Sequence, residues 1–335
     1  MVLITLALAV LLFGLFCLDI ATGDTHIPLG RVLDVLTGGG TRSQRFIIWE
    51  SRMPRALTAV VVGAALGLAG AITQSILHNP LASPDMLGIT SGAGLGAVAV
   101  LSAGSTTGFA ADVGAPLAAL VGGLLTSVVI YVLAWGRSPS GDTGATGLRL
   151  VLIGIGVNAL LVAGISWLLT RATLQDAAHA QQWLTGSLNT VNRTTVIPAA
   201  IALAVVLVVS TVSARTLAAL RLGAESTRVL GVRIQTQQAL LLGTAVVAAS
   251  MATAAVGPVV FIALAAPQIA RRSLRTPGEP LIGSALFGAI LVVGADVASR
   301  TFFPVDLPVG IVTAAFGGPF LLYLLVRMNR KATLS

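Results

Sequence analysis

Charged residues, cysteine, lysine and aromatic residues are all scarce in this chain of 335 residues. Asp, Glu, Lys and Arg together make up 10% of the sequence, whereas a soluble domain averages about 25%. Hydrophobic residues make up 56%, so the composition lies outside the range of soluble domains and indicates an integral membrane protein. The net charge of +8 therefore points to a lipid bilayer, and not to nucleic acid, as the neighbouring surface.

Two of these shortages exclude whole classes of chemistry. Cys17 is the only cysteine, which excludes a disulfide framework, an iron–sulfur cluster and a thiolate metal site. Lys331 is the only lysine, and Ala-Thr-Leu-Ser follows it, so the Gly-Lys-Ser/Thr step of a P-loop is missing. The three histidines fall at the ends of apolar runs or between them, away from any buried serine nucleophile. We predict no catalytic residues, no metal ligands, no cofactor and no ATP hydrolysis by the chain itself.

Runs without Asp, Glu, Lys or Arg locate the membrane helices, because a span needs about 20 mostly apolar residues. The run 234–270 is too long for one helix and carries Gly257-Pro258 near its middle, so we divide it into two. The prediction is an all-α, polytopic membrane protein with ten transmembrane helices. They lie within the runs 1–18, 56–84, 86–111, 113–136, 150–170, 194–214, 234–270, 280–295 and 307–326.

The distribution of basic residues predicts the orientation of these spans. Ten spans place both termini on one side, and basic residues are enriched in cytoplasmic loops. With both termini in the cytoplasm, twelve of the 20 Arg and Lys residues and only four of the 12 acidic residues lie inside. We therefore predict cytoplasmic N and C termini. A cleavable signal peptide is an alternative for the first helix, although the basic n-region of such peptides is missing.

Within the spans, the polar residues are neutral and glycine is frequent. Gly63 and Gly67, like Gly92 and Gly96, are four residues apart, a spacing that lets two helix backbones pack closely. An ion-coupled carrier normally needs carboxylates at membrane depth to hold its coupling ion, and the middle of every span lacks them. The pattern favours a transport protein without its own ion-binding site.

Several glycine- and proline-containing motifs follow one another along the chain. They are Arg52-Met53-Pro54-Arg55, the glycine-rich string 63–71, Asn79-Pro80-Leu81-Ala82, Gly186-Ser187-Leu188, Gly257-Pro258 and Leu307-Pro308-Val309-Gly310. In this order they resemble the FecCD-type permeases, the membrane subunits of ABC importers for ferric siderophores, haem and vitamin B12. The segments 152–157 and 180–188 most resemble the ferric enterobactin type. One position departs from the family pattern, since Gln268 stands after Pro267 where these permeases commonly have His.

The resemblance implies the fold of a type II ABC importer permease, with residues 1–335 forming a single transmembrane domain of two inverted-repeat halves. It implies a multi-pass subunit in the cytoplasmic (inner) membrane of a bacterium that moves a ferric siderophore. The implied partners are a second permease subunit, identical or homologous, two copies of an ATP-binding subunit and a substrate-binding protein. Vitamin B12 or haem import is the alternative within the family. An ion-coupled secondary carrier, and a membrane enzyme or scaffold, are alternatives outside it.

The loop 217–238 is assigned to coupling with the ATPase. It carries more aliphatic residues than a solvated basic loop near anionic lipid would need, which is the alternative reading. The resemblance places the contact between permease and ATPase in this loop. The residues assigned to it are Leu220, Gly223, Glu225, Leu230, Gly231 and Val232.

Two further groups of residues complete the expected site. Arg52, Arg55 and Arg300 lie at the outer mouth of the predicted spans, and the resemblance implies that they receive carboxylates of the binding protein. The alternative is that they pair with Glu50 and Asp306 or reach lipid phosphate. For the wall of the translocation pathway we assign the start of the third span, with helix packing as the alternative. Its residues are Leu87, Ile89, Thr90, Ser91 and Gly92.

Overall fold

The computed structural model describes residues 2–23, 27–103, 114–137, 143–145, 147–189, 191–220, 227, 234–278 and 280–332. The first half begins with α1 (Val2–Ala21), α2 (Leu29–Leu36) and α3 (Arg42–Phe46). A π-helical turn (Ile47–Arg52) joins α3 to α4 (Met53–Leu77). A 3₁₀ turn (Pro84–Leu87) then precedes α5 (Ile89–Ser102), and α6 (Ala115–Ala134) follows.

The second half of the chain begins after a short antiparallel pair, β1 (Trp135–Arg137) and β2 (Thr143–Ala145). This pair was not predicted, because the sequence placed residues 113–136 in one apolar run. The helices that follow are α7 (Gly147–Arg171), α8 (Leu174–Leu184), α9 (Arg193–Val212), α10 (Ala214–Leu220), α11 (Ile234–Val256), α12 (Ile262–Ser273), α13 (Leu281–Thr301) and α14 (Val309–Ala332).

Eight helical segments of the described chain are long and apolar enough to cross a membrane. They lie at eight of the ten predicted positions, and the other two positions hold α5 and α12, with 14 and 12 residues. At about 1.5 Å per residue these helices measure about 21 and about 18 Å, which is shorter than the hydrocarbon core of about 30 Å. The prediction of a polytopic helical membrane protein is confirmed, and the number of ten spans stays a prediction.

Helix α4 forms the centre of the bundle and packs against α9, α11, α12 and α13. Its small residues explain how it can be so enclosed. A β-carbon at Gly63 would overlap the Gly288 carbonyl oxygen on α13, and one at Gly67 would overlap that of Ser284. The close packing predicted from the four-residue glycine spacing is therefore present between α4 and α13.

Close backbone packing at glycine residues also joins α5 to α6. A β-carbon at Gly92 would lie 2.6 Å from the Gly122 carbonyl oxygen, and one at Gly96 would overlap the Ala118 carbonyl oxygen. In contrast, α7 and α9 expose large aliphatic side chains along most of their length, for example Leu152, Leu160 and Ile201. In a membrane protein such faces meet lipid or a second subunit.

Candidate functional site

Three motifs that are distant in the sequence meet at one backbone junction. The Ser187 amide donates a hydrogen bond of 2.7 Å to the Val256 carbonyl, and the Gly310 amide donates one of 3.0 Å to the Gly186 carbonyl. Gly186 and Gly257 have φ angles of 70° and 76°, which favour glycine. Gly186, Gly257 and Gly310 all approach neighbouring carbonyl oxygens so closely that a β-carbon would overlap them. The junction fixes the ends of α8, α11 and α14 relative to one another.

Two interrupted helices face each other beside this junction. The first break is at Gly88 (φ 67°), between the 3₁₀ turn and α5, and the second is at Phe261 (φ 67°), directly before α12. A small cavity between them is lined by polar groups that include Asp85, Thr90 and Thr253. Non-helical backbone at membrane depth is tolerated only where protein encloses it or where it lines a water-filled cavity. The breaks are therefore candidate positions for the wall of a pathway.

The residues predicted for that wall divide into two groups. Leu87 is 4% exposed and Ile89 is fully buried, while Gly92 packs against α6. These three positions pack within the subunit, and their place in the wall of the pathway stays a prediction. Thr90 and Ser91 are partly exposed.

The hydroxyl groups of Thr90 and Ser91 hold the start of α5 in place. Thr90 donates a hydrogen bond to the Asp85 carboxylate, and Ser91 donates one to the Asn158 side chain on α7. The start of α5 is thus tied to the 3₁₀ turn before it and to a neighbouring helix. Of the five predicted residues, Thr90 lines the small cavity, and Ser91 links α5 to α7.

A buried pair of amide side chains connects α4 with α12. Gln268 donates from Nε2 to Oε1 of Gln74 at 2.6 Å, and Gln74 donates from its own Nε2 to the Leu264 carbonyl at 3.1 Å. Both glutamines are at most 2% exposed. Gln268, the departure from the family pattern, therefore still provides a hydrogen-bonding side chain. Its neutral amide carries both a donor and an acceptor and does not titrate.

The turn after α4 contacts the segment assigned to coupling. His78 ends α4 with a φ of 50°, and its Nε2 lies 2.9 Å from the Leu220 carbonyl oxygen at the end of α10. The hydroxyl of Thr227 donates to the Ala219 carbonyl at 2.7 Å. Terminal carbonyls of a helix have no partner within the helix, so these two side chains cap α10. Leu220 itself is 3% exposed, whereas Gly223, Glu225, Leu230, Gly231 and Val232 lie outside the described residues.

A buried cluster of charges joins α1, α4 and α13 at the opposite end of α4. Arg55 binds both oxygens of Asp296, with Nε to Oδ2 at 2.9 Å and Nη2 to Oδ1 at 2.8 Å. Arg300 binds Asp296 at 2.9 Å and also contacts the Asp19 carboxylate. The side chains of Asp19 and Asp296 are 1% and 0% exposed. Two acidic and two basic groups are thus paired inside the protein, as buried charges require.

The arginines of this region also cap the end of α1. Arg52, which is 8% exposed, donates from Nη1 to the Ile20 carbonyl at 2.7 Å and to the Ala21 carbonyl at 3.1 Å. Arg300 donates from Nη1 to the Thr22 carbonyl at 2.8 Å. Positive groups at a helix C-terminus satisfy free carbonyls and interact favourably with the helix dipole.

The sequence placed Arg52, Arg55 and Arg300 as exposed charges at an outer rim, and their side chains are mostly enclosed instead. Glu50 and Asp306 were the partners considered, and Asp19 and Asp296 were missed. Asp296 could have been found, because it lies four residues before Arg300 on one helix. Asp19 could not, because its contact with Arg300 spans 281 positions of the sequence. The docking role of the three arginines stays a prediction.

Comparisons with known proteins bear on the whole chain. Residues 10–327 match the FecCD transport family. The ferric enterobactin transport system permease protein FepG of Escherichia coli (strain K12) is 39% identical over 312 residues, covering 92% of this chain and 91% of that protein. The achromobactin transport system permease protein CbrC of Dickeya dadantii (strain 3937) is 37% identical over 334 residues, covering 97% and 91%.

A solved structure described as a metal-chelate type ABC transporter in an inward-facing conformation has the same fold. Its TM-score is 0.81 at 23% identity, and the likeness covers 98% of this chain and 100% of that one. The motifs that meet in the fold, the match over residues 10–327 and the identity to FepG lead to one conclusion: the chain belongs to the FecCD transport family.

Proposed function

We propose that this chain is the permease subunit of an ABC importer that carries a ferric siderophore across the cytoplasmic membrane of a bacterium. The observation that carries the proposal is the 39% identity to a ferric enterobactin permease over 92% of the chain. A separate subunit hydrolyses ATP, because the chain has no lysine that could serve a P-loop. A binding protein supplies the cargo, and a second permease, identical or homologous, completes the pathway.

The proposed topology has ten spans in one domain, with both termini in the cytoplasm. The two short helices α5 and α12 become full spans when the non-helical residues before them are included. Residues of α4 and α11 line part of the small cavity between the two breaks, and a bilayer tolerates irregular backbone where it lines such a cavity. Polar atoms of Thr90 and Ser91 beside the first break then face the pathway, while Leu87, Ile89 and Gly92 support them from behind.

Coupling to the ATPase is proposed for the segment 217–238. Its described part, the end of α10, is tied to the end of α4 through His78 and Leu220. A force on this segment would therefore reach α4 and the 3₁₀ turn, and from there the start of α5. His78 acts in this proposal as a positioning residue between the coupling segment and the pathway.

Docking of the binding protein is proposed for the end of the bundle that holds Arg52, Arg55 and Arg300. The side chain of Arg55 is 18% exposed and that of Arg300 is 7% exposed. Arg55 is thus the most accessible of the three to a carboxylate from outside. The other two arginines keep the ends of α1 and α13 in position for the contact.

Uptake by proteoliposomes tests the function. Vesicles that contain the permease, its ATPase and the binding protein should take up ferric enterobactin when ATP is enclosed, and vesicles without the ATPase should not. Haem and cobalamin, offered in parallel, test the alternative cargoes. Uptake that follows an ion gradient without ATP would contradict the proposal, and preferential uptake of haem or cobalamin would overturn the siderophore assignment.

A further inference from the structure

An apolar groove runs between α12, α13 and α14, and Phe261 at the second helix break forms part of its lining. Its cavity volume is about 400 Å³, within the range of about 300 to 1,000 Å³ that is typical of small-molecule sites. A β-carbon at Gly294 would meet no atom within 4 Å, so the groove is open beside this residue. Its lining is almost entirely aliphatic and aromatic and includes Ile262, Ile269, Leu291, Gly294, Phe316 and Phe320.

Two arginines stand beyond one end of the groove. Arg272 follows Ile269 by three residues on α12, and Arg327 follows Phe320 by seven residues on α14. Side chains three, four or seven residues apart share a helix face, so both arginines continue the faces that line the groove. Tyr323 lies between Phe320 and Arg327, accepts a hydrogen bond of 2.7 Å from Arg327 Nη1, and places its ring 6.0 Å from that guanidinium.

Arg327 lies close enough to Arg272 for its positive charge to act on that guanidinium. Arg272 lies past the apolar part of α12, and its pKa is lowered first by partial burial and next by the positive charge of Arg327. The helix dipole accounts for the two basic residues in the last turn of α12, Arg271 and Arg272. It does not account for a further basic residue that α14 brings near them, since like charges repel. The described residues that line the groove include no acidic side chain.

We propose that this groove binds one anionic phospholipid, with an acyl chain along the apolar lining and the phosphate between Arg272 and Arg327. Basic pockets between membrane helices are suited to anionic headgroups, and the planar guanidinium matches the geometry of a phosphate. The site does not require the function proposed above. Only the membrane leaflet that supplies the lipid depends on the proposed function, because the arginines face the cytoplasm in the orientation proposed there.

Native mass spectrometry of the purified permease tests the site through the number of retained lipids. The protein is exchanged into mixtures of phosphatidylethanolamine with phosphatidylglycerol, and bound phosphatidylglycerol is counted. The double variant Arg272→Gln, Arg327→Gln should bind about thirtyfold more weakly, since each basic residue contributes about fivefold. Gly294→Leu should also lose the lipid, because its β-carbon meets no atom within 4 Å and the side chain occupies space in the groove.

Matched controls separate the site from general effects. Gly318→Leu places the same side chain at another open glycine position, and Arg171→Gln removes an arginine that stacks on Trp167 elsewhere. Both should retain phosphatidylglycerol, and the thermal unfolding of all variants should match the unmodified protein. The lipid count does not depend on uptake, so failure here leaves the proposed transport function standing.

Three results would overturn the proposal. Equal retention of phosphatidylethanolamine would show that charge plays no part, and displacement of the lipid by an equal concentration of inorganic phosphate would indicate a phosphate site. The third result would be a crosslink between two permease chains, tested with a cysteine placed at Gly294 in a Cys17→Ser background. If it crosslinks two permease chains, a second subunit covers the groove instead of a lipid.

Discussion

Replacement of Asp296 by asparagine removes the charge on which two arginines depend. The carboxylate is completely buried, accepts two hydrogen bonds from Arg55 and one from Arg300, and joins α13 to α4. Asparagine keeps the shape of the side chain but leaves the positive charge of Arg55 without its buried partner. Arg300 loses less, because it still contacts Asp19.

The expected cost follows from the burial of the cluster. Removal of one partner from a buried ion pair costs about 3–5 kcal/mol, and the surviving contact of Arg300 with Asp19 argues for the lower end. The matched control is Asp34→Asn. Asp34 pairs with Arg31 at 3.6 Å, and the two side chains are 43% and 63% exposed, so this change should cost about 0–1 kcal/mol.

Thermal unfolding of the detergent-solubilised permease measures both changes. We expect the midpoint of Asp296→Asn to fall by several degrees and that of Asp34→Asn to stay nearly unchanged. The double variant Arg55→Met, Asp296→Leu removes charge and partner together and should recover much of the loss, since apolar residues can replace a buried pair. If Asp296→Asn is no less stable than Asp34→Asn, the cluster does not hold the three helices together.

Three other substitutions test separate contacts. Gln268→Leu should lower the free energy of unfolding by about 1–3 kcal/mol, because the buried Oε1 of Gln74 loses its hydrogen-bond donor; an unchanged unfolding midpoint would contradict this. His78→Ala should lower the number of cargo molecules imported per ATP without changing the unfolding midpoint, and the exposed His179 supplies the matched control His179→Ala; equal coupling in both variants would refute the role of His78. Gly70→Val should prevent stable folding, since a β-carbon there would overlap the Ala263 carbonyl oxygen; a stable, monodisperse protein on size-exclusion chromatography would refute this.

The positions of the long helices were predictable because lipid excludes charge from the chain that crosses it. The end of α13 shows the limit of that rule. The charge-free run ends at residue 295, yet the helix continues to Thr301, because Arg55 and Arg300 neutralise Asp296 inside the bundle. A rule that treats each charge singly cannot foresee a pair formed by residues 241 positions apart.

The short elements were not predicted, for a different reason. Helices α2, α8 and α10 lie outside the apolar runs, and their positions depend on contacts with distant segments. The cap of α10 by His78 is one such contact, since the two residues are 142 positions apart. Glycine spacing, in contrast, correctly predicted close helix packing, although it did not identify the partner helix.

Helix α4 contacts neighbouring helices at both of its ends and in its middle, and these contacts restrict how it can move. Arg55 holds its first turn to α13 through Asp296, and His78 holds its end to α10. Between them, Gly63 and Gly67 contact backbone carbonyls of α13 with no room for a β-carbon, so sliding along α13 would press larger side chains into that backbone. We therefore expect a force at the coupling segment to move α4 and α13 together as one unit. Spin labels at Leu57 and Ile282, which are 38% and 63% exposed, should keep their distance in pulsed electron paramagnetic resonance when ATP is added to the assembled importer. A change in that distance would show that the two helices slide, and the rigid coupling of α4 to α13 would then be wrong.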